Sequence, residues 1–232
     1  MEVVYINGLF TPLCNGPISI QDRGFCYGDG LFETMRASKG NIFRLEHHID
    51  RLFRSLPQIF IDLPMTRFEL MTIIQDTLER NNHKEAVIRL TVTRGDTQSN
   101  IQIDSNIPPN LIINIRAFIP LSTTAYKKGI KIMLFQERAS SINGIKRRIK
   151  SCNYLSNILI KKLSDEKGFM EGVVVDPDFG VTEGTTSNVF IVTQGYLKTP
   201  PLSPFVLEGI TRQVVIEIAK EHKIPFLEAR IT

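Results

Sequence analysis

Three short stretches in the second half of the chain carry residue types that do covalent and acid–base chemistry. Lys150 stands directly before a segment with helical periodicity, and a lysine amine held in a suitable site forms imines with carbonyl compounds. Glu183 lies among small polar residues at an expected strand end. Gly209 opens a further helical segment, whose free backbone amides and dipole can bind a phosphate group. Together they suit a lysine that holds an electron-withdrawing, phosphorylated cofactor.

Each of these signals is weak when it is taken alone. Lys150 ends a basic run, residues 146–150, and such runs are usually solvated surfaces. A carboxylate such as Glu183 is common in β-turns. A helix that begins with Thr211 near its cap needs no ligand. The three stretches therefore indicate a cofactor site only as a set.

The hydrophobic pattern places these residues beside strands and helices of the second half. We expect a strand at residues 130–135, a helix over 151–167 that Gly168 ends, strands at 172–176, 188–192 and 196–199, and a helix over 211–222. Lys150 and Gly209 then each precede a helix. Both would lie at a helix amino end.

The first half reads as a separate set of elements. We expect a hairpin of residues 3–6 and 9–11, a helix over 45–56, a helix after a capping box of Thr66 and Glu69, and strands at 86–93 and 111–118. Residues 119–128 contain Pro120 and several small polar residues, which predicts a linker. The expected domains are therefore 1–118 and 129–232.

Length and composition describe an ordinary globular protein. With 232 residues and 42% hydrophobic positions, the chain can bury one or two cores. No apolar run is long enough to cross a bilayer and no leader is visible, so we expect a cytoplasmic protein without membrane contact. Cys14, Cys26 and Cys152 are far apart, which predicts reduced thiols.

Other functional classes have less support. His47 and His48 are adjacent and therefore point to different helix faces, while His83 and His222 are isolated, so we expect no metal site. The net charge of +4 and the run at residues 146–150 allow nucleic-acid binding. Because that run lacks stacking aromatic residues, we expect no nucleic-acid partner.

Several motifs, taken together, resemble the class IV aminotransferases. They are residues 22–24, 27–34, 48–52, 150–153, 181–190, 199–202 and 209–212. They occur in the family's order and spacing and cover nearly the whole chain. The resemblance implies pyridoxal 5′-phosphate as cofactor, a homodimer, and the two-domain α/β (α+β) fold of type IV enzymes. In that fold a small amino-terminal domain precedes a larger cofactor-binding domain.

The resemblance also implies a role for individual residues. Lys150 would hold the cofactor as a Schiff base and carry a proton between the substrate α-carbon and the cofactor. Glu183 would pair with the pyridine nitrogen. Further cofactor contacts would come from Arg51 and the backbone amides of Ile210 and Thr211, which bind the phosphate, and from Tyr154. The substrate would be an amino acid or a 2-oxo acid, bound by Tyr27, Phe32 and Arg89.

The motifs divide between subgroups of the family, which comprises branched-chain aminotransferases, D-amino-acid aminotransferases and aminodeoxychorismate lyases. The spacing from Lys150 to Asn153 resembles the latter two, yet the arginine they carry after Gly95 is absent from residues 96–100. Arg89 instead resembles an arginine of branched-chain enzymes. We expect amino transfer, with the lyase or a non-catalytic relative as alternatives. Family members continue beyond Ile231, so the second domain is expected to be incomplete at Thr232.

Overall fold

A computed structural model describes residues 2–96, 101–104, 106–138 and 148–232. These residues form two compact units. The first comprises Met1–Pro120 together with Lys150–Asn153, and the second comprises Leu121–Ile149 and Tyr154–Thr232. Among the described residues, every helix is too short or too polar to cross a membrane.

The first unit is built on a six-stranded antiparallel sheet. Its strands are β1 Val3–Ile6, β2 Leu9–Pro12, β3 Gly30–Ser38, β4 Asn41–Ile42, β5 Glu85–Thr93 and β6 Asn110–Ala117. They lie in the order β2-β1-β6-β5-β3-β4. Residues 30–33 of β3 are all buried, whereas the rest of β3 and most of β5 alternate between more and less buried residues, because successive side chains of a strand point to opposite faces.

Three helices accompany this sheet: α1 Arg23–Tyr27, α2 Leu45–Ser55 and α3 Arg67–Asn81. The longer two pack on it, α2 against β3 and α3 against β1 and β6. Ile49 of α2 and Ile74 of α3 are fully buried, as is Ile88 of β5. Apolar residues at helical spacing thus form the stripe that each helix turns toward the sheet. The core of the first unit lies at this face.

The segment Lys150–Asn153 runs beside the start of β3. Phe32 N–H donates to the Lys150 carbonyl at 2.9 Å, and Cys152 N–H donates to the Gly30 carbonyl at 2.9 Å. Leu31 and Ser151 form the β-bridge between these two bonds. The backbone that carries Lys150 is therefore fixed to β3 by ladder hydrogen bonds.

The second unit contains α4 Thr123–Lys128, β7 Ile132–Gln136, α5 Leu155–Glu166, β8 Glu171–Asp176, β9 Gly180–Gly184, β10 Ile191–Thr193, β11 Tyr196–Thr199, α6 Ile210–Glu221 and β12 Phe226–Glu228. The strands form two three-stranded sheets, β7-β8-β9 and β10-β11-β12. In each sheet one pair is parallel and the other antiparallel. Glu183 stands at the end of β9, and Gly209 directly precedes α6.

Most predicted elements occur within a few residues of the expected bounds, but one helix begins later than expected and β9 was not predicted. Residues 151–153, expected to begin a helix, are not helical because Ser151 and Cys152 pair with β3, so α5 begins only at Leu155. Residues 119–128, predicted to link the two domains, contain the short helix α4, whose first turn is capped by the side chain of Ser122; the domain division stays a prediction. The basic run at 146–150 falls partly outside the described residues, as do residues 97–100.

Candidate active site

Lys150 and Arg89 both lie over the aromatic ring of Phe32. Its Nζ is 4.6 Å from the centroid of the Phe32 ring, and the Cζ of Arg89 is 3.3 Å from the same centroid. Phe32 on β3 and Arg89 on β5 point to the same face of the sheet, because Arg89 pairs with Thr34, two residues along β3. The sheet register therefore brings an amine and a guanidinium to one buried ring.

The end of the lysine segment is held by the turn that follows α1. Asn153 Nδ2 donates to the Gly28 carbonyl at 3.1 Å. Gly28 has φ of +68°, and a Cβ there would lie 2.5 Å from Asn153 Oδ1. Both the left-handed backbone and this close approach require glycine. Two of the sequence motifs, residues 27–34 and 150–153, thus meet at one contact.

A partly buried carboxylate, Asp29, braces the turn between α1 and β3. Asp29 accepts hydrogen bonds from Arg23 Nε at 2.7 Å, and from Arg94 Nε at 2.7 Å and Nη2 at 2.9 Å. Burial raises the pKa of Asp29, but the hydrogen bonds and charges of Arg94 and Arg23 outweigh it and hold the pKa below 3.8. Asp29 therefore stays ionised and fixes the turn ahead of Phe32.

Cys152 is a thiol close to Lys150 in sequence, yet its surroundings suppress its reactivity. Burial raises the pKa of Cys152 to about 11, against a smaller opposing effect of Arg89. Since the thiolate is the nucleophilic form, Cys152 serves packing here rather than covalent chemistry.

Arg51 of α2 is paired with a carboxylate from β3. Glu33 Oε1 accepts from Arg51 Nε at 2.7 Å, and Glu33 Oε2 accepts from Arg51 Nη2 at 2.5 Å. His48 Nδ1 lies 2.8 Å from the same Oε2. Glu33 is 1% exposed, and His48 and Arg51 are 7% exposed. Burial raises the pKa of Glu33, but hydrogen bonds from His48 and Arg51 outweigh it and hold the pKa below 4.5.

In the second unit, Glu183 is held by three donors. Its Oε2 accepts from the Leu207 backbone N–H at 2.7 Å and from Asn188 Nδ2 at 3.4 Å. Its Oε1 lies 3.2 Å from Arg148 Nε. Arg148 is fixed in turn, because its Nη1 donates to the Phe205 carbonyl. Glu183 is thus an oriented, nearly buried carboxylate with a positive charge beside it.

The amino end of α6 lies next to this carboxylate. Its N-cap is Gly209, which provides no side-chain cap for the first amides of the helix. Asn188 Nδ2 also donates to the Leu207 carbonyl at 3.0 Å, so Asn188 joins Glu183 to the turn before α6. The first N–H groups of a helix lack intrahelical acceptors and attract anions. The second unit therefore places the amino end of a helix close to the Glu183 carboxylate.

Tyr154 stands at the start of α5 and lines a cavity of about 330 Å³. Asn157 and Thr185 line the same cavity, and Asn157 Nδ2 donates to the Thr185 carbonyl at 2.6 Å. This bond connects α5 to the loop after Glu183.

The sequence model described as amino-transferase class IV matches residues 30–232. The chain belongs to the class IV aminotransferases. The match covers the segments that carry Lys150, Glu183 and Gly209, and the family that the motifs indicated is confirmed.

Relatives of this class IV aminotransferase include proteins of two named activities. A protein of Methanocaldococcus jannaschii, named as a candidate branched-chain-amino-acid aminotransferase, is 37% identical over 99% of this chain and 78% of its own length. A D-alanine aminotransferase of Staphylococcus epidermidis is 32% identical over the whole chain and 80% of its own length. One relative is thus named a branched-chain aminotransferase and the other a D-amino-acid aminotransferase, and the sequence motifs resemble both of these subgroups.

Solved structures of class IV aminotransferases share the fold. The branched-chain amino acid aminotransferase of Escherichia coli superimposes with a TM-score of 0.93 at 27% identity, over 100% of this chain and 78% of its own. The branched-chain aminotransferase of the thermophilic archaeon Thermoproteus uzoniensis, solved with norvaline, gives a TM-score of 0.91 at 29% identity, over 100% and 78%. The expected mixed α/β fold is confirmed.

Class IV aminotransferases use pyridoxal 5′-phosphate, and the donor set of this chain fits that cofactor. The first unit offers the Lys150 amine for the aldehyde. The second offers the Glu183 carboxylate for the pyridine nitrogen and the uncapped amino end of α6 for the phosphate. Each group is the chemical complement of one part of the cofactor.

The expected site residues form one group in the first unit and another in the second. In the first unit Lys150, Phe32 and Arg89 cluster, whereas the ring of Tyr27 is half exposed at the end of α1, 5.2 Å from the Cζ of Arg23. In the second unit Glu183 lies close to the turn that leads to Ile210 and Thr211. Sequence reasoning gave no role to Glu33, His48 or Asn188. Glu33, His48 and Asn188 lie inside the recognised motifs, which was the signal available.

Proposed function

We propose that this chain is a pyridoxal-phosphate-dependent aminotransferase that moves an amino group between an amino acid and a 2-oxo acid, with Lys150 as its covalent anchor. The observation that carries the proposal is the shared ring: Lys150 Nζ and the Arg89 guanidinium lie over Phe32. An amine that handles protons at the α-carbon is thereby close to a cation able to bind the α-carboxylate.

Lys150 has two tasks in this proposal. Its amine would hold the cofactor covalently through the aldehyde carbon. Once released, the same amine is the base that takes the proton from the substrate α-carbon and returns it on the other side of the transfer. The bound cofactor supplies the electron sink that makes this proton acidic. The hydrogen bond from Phe32 N–H to the Lys150 carbonyl keeps the lysine backbone in place for both tasks.

Glu183 keeps a proton on the pyridine nitrogen. The Leu207 N–H and Asn188 orient one oxygen, and Arg148 lies beside the other. A carboxylate held in this way remains an acceptor for a ring N–H. The positive ring then withdraws electrons from the reacting carbon more strongly.

The phosphate would be bound by Arg51 and by the backbone amides of Ile210 and Thr211, while the Tyr154 hydroxyl would contact the cofactor. Arginine binds phosphate oxygens in pairs, and helix amino ends favour anions. The absence of a side-chain cap at Gly209 suits such a ligand.

The substrate would be recognised mainly by Arg89. Amino acids and 2-oxo acids share an α-carboxylate, so one guanidinium serves both halves of the reaction. Phe32 and Tyr27 would provide apolar walls for the side chain. This arrangement sets no preference of handedness by itself.

The proposal is tested with the purified protein and added pyridoxal phosphate. A visible absorbance should appear, and borohydride should fix the cofactor to Lys150 in peptide mapping. Lys150→Ala should abolish the adduct, whereas Lys84→Ala, an exposed lysine of the same unit, should leave it unchanged. An adduct distributed over several surface lysines would contradict the proposal.

A substrate panel then identifies the reaction. L- and D-amino acids and aminodeoxychorismate are added separately, and the cofactor spectrum is read after each addition. Conversion by amino acids supports amino transfer. Pyruvate release from aminodeoxychorismate alone would replace it with the lyase, and adduct formation without any turnover would indicate a non-catalytic relative. Sedimentation of the loaded protein tests the proposed homodimer.

A further inference from the structure

Arg212 is a buried arginine in the first turn of α6, with a side chain that is 3% exposed. Its Nη2 donates to the Pro200 carbonyl at 3.0 Å and to Glu228 Oε2 at 2.6 Å. Pro200 directly follows β11, and Glu228 is the last residue of β12. One guanidinium group therefore connects the start of α6 to the ends of two strands.

These two strand ends are also bonded to each other. The strands β11 and β12 are parallel, and Thr199 pairs with Glu228. The Ala229 N–H donates to the Thr199 carbonyl at 3.0 Å. The Thr199 hydroxyl, on a residue that is 1% exposed, donates to the Val189 carbonyl at 2.8 Å. Arg212 thus holds the first turn of α6 to a hydrogen-bonded part of the sheet.

The stability that this arginine contributes is expected to be small. Removing a charge from water has a large desolvation cost, even when the charge is paired. A cation in the first turn of a helix is also opposed by the helix dipole. Within the part of the chain that the structure describes, the buried Nε of Arg212 has no hydrogen-bond partner, which adds a further cost. The placement of the first turn of α6 explains this arrangement better than stability does.

The first turn of α6 is the part of the second unit that is proposed to bind the cofactor phosphate. Arg212 directly follows Ile210 and Thr211, whose backbone amides have that role, so those amides move with the turn that Arg212 holds. Residues 199–202 and 209–212 are two of the sequence motifs, and the first of them has no role in the proposed function. The bond from Arg212 to Pro200 joins the two motifs.

We propose that Arg212 is a positioning residue that, held by Glu228 and Pro200, sets the place of the Ile210 and Thr211 amides for the cofactor phosphate. This rests on the proposed function, in which those amides bind the phosphate. Arg212 does not contact the cofactor in this role, since its guanidinium group is bonded to the strand ends. Its effect passes through one turn of backbone, so it concerns the phosphate and not the ring.

The test compares pyridoxal phosphate with pyridoxal, which has the same aldehyde and ring but no phosphate. Each is titrated into cofactor-free protein, and the absorbance of the bound compound gives its dissociation constant. In Arg212→Met the affinity for pyridoxal phosphate should fall about tenfold, as for a lost hydrogen bond to a charged group. The affinity for pyridoxal should stay unchanged, because pyridoxal has no group for the α6 amides to bind.

Glu228→Gln separates an effect of position from an effect of charge. The Glu228 side chain is 41% exposed, so this variant should fold. If Arg212 acts by position, Glu228→Gln should also lower the affinity for pyridoxal phosphate, but less than Arg212→Met because the bond to Pro200 remains. The double variant should then be no weaker than Arg212→Met alone. If Arg212 attracted the phosphate by its charge, removing its acidic partner would instead raise that affinity.

Ile160→Ala is the matched control for a general loss of stability. Ile160 lies on α5 of the same unit and is 6% exposed, so its truncation leaves a cavity. This variant should have a lower melting temperature but the same ratio of the two affinities. If Arg212→Met does not fold, Arg212→Lys is measured in the same way, with the same selective loss expected, because lysine keeps the charge but lacks the planar guanidinium group.

Three results would overturn the proposal. One is an equal loss of affinity for both ligands in the Arg212 variant, which a general loss of structure would produce. Another is no loss at all, and the third is a higher affinity for pyridoxal phosphate in Glu228→Gln. A failure of the proposed function looks different, because the wild-type protein would then form no borohydride-fixed adduct at Lys150 with either ligand.

Discussion

Replacing Gly209 by alanine should change the hydrogen bonding of the Glu183 carboxylate indirectly, because the added Cβ collides with Asn188, a hydrogen-bond partner of Glu183. Gly209 has an ordinary extended backbone, with φ of −69° and ψ of 136°, so alanine causes no backbone strain. Its Cβ, however, would lie 1.9 Å from Asn188 Oδ1 and 3.1 Å from Asn188 Cγ. Since ordinary contacts begin near 3.4 Å, the Asn188 side chain must leave its position.

The cost follows from what Asn188 does there. Its amide donates to the Leu207 carbonyl at 3.0 Å and, more weakly, to Glu183 at 3.4 Å. Losing a good neutral hydrogen bond costs about 1 kcal/mol, and we allow about 1 kcal/mol for the longer bond to a charged group. The poorer N-cap adds about 0.5 kcal/mol. Reduced freedom of the unfolded chain returns about 0.5 kcal/mol. The net loss should be about 2 kcal/mol.

Urea denaturation of the variants measures this loss, and the cofactor spectrum reports Glu183. Asn188→Ala removes the group that collides, so in that background Gly209→Ala should cost less than about 0.5 kcal/mol. The spectrum of Gly209→Ala with cofactor should resemble that of Asn188→Ala. If Gly209→Ala costs the same with and without Asn188, the steric reasoning is wrong.

Three further predictions concern the first unit. At pH 8 iodoacetamide should modify the exposed Cys14 and Cys26 but leave Cys152 unmodified until the protein unfolds, as mass spectrometry would show, because a thiol pKa of about 11 leaves roughly one thiolate in a thousand. Thr66→Ala should lower the free energy of unfolding by about 1 kcal/mol in urea denaturation, since it removes the capping box of α3. The stability that ionised Asp29 contributes is present above its ordinary pKa of 3.8 and is lost as the pH falls through its lower folded value. Asp29→Asn should therefore flatten the acid end of a stability-versus-pH curve, and an unchanged curve would contradict the assignment.

The elements that were predicted correctly depend on local signals. Asn7 and Gly8 both adopt positive φ, 48° and 96°, as the two-residue hairpin requires. The Thr66 and Glu69 side chains form both bonds of the capping box. In these cases two or three neighbouring residues determine the conformation, so the sequence contains the whole argument.

The wrong or missing expectations depend on distant partners. Residues 151–153 precede a helix, yet hydrogen bonds between this segment and β3 keep them out of it. The strand β9, Gly180–Gly184, was not among the expected strands, because it is short and carries polar residues. Its conformation comes from pairing with β8. Propensity does not report such partners, since they are remote in sequence.

The roles of acidic residues were equally hard to predict from the sequence. Glu69 and Glu33 are identical side chains with lowered pKa, but Glu69 is an exposed cap for one helix, whereas Glu33 is a buried acceptor for a histidine and an arginine. Glu183 differs again, because a backbone N–H holds one of its oxygens and Arg148 lies beside the other. A carboxylate takes its role from the donors that the fold places around it. Motif spacing located Glu183, whereas the role of Glu33 depends on α2 lying over β3.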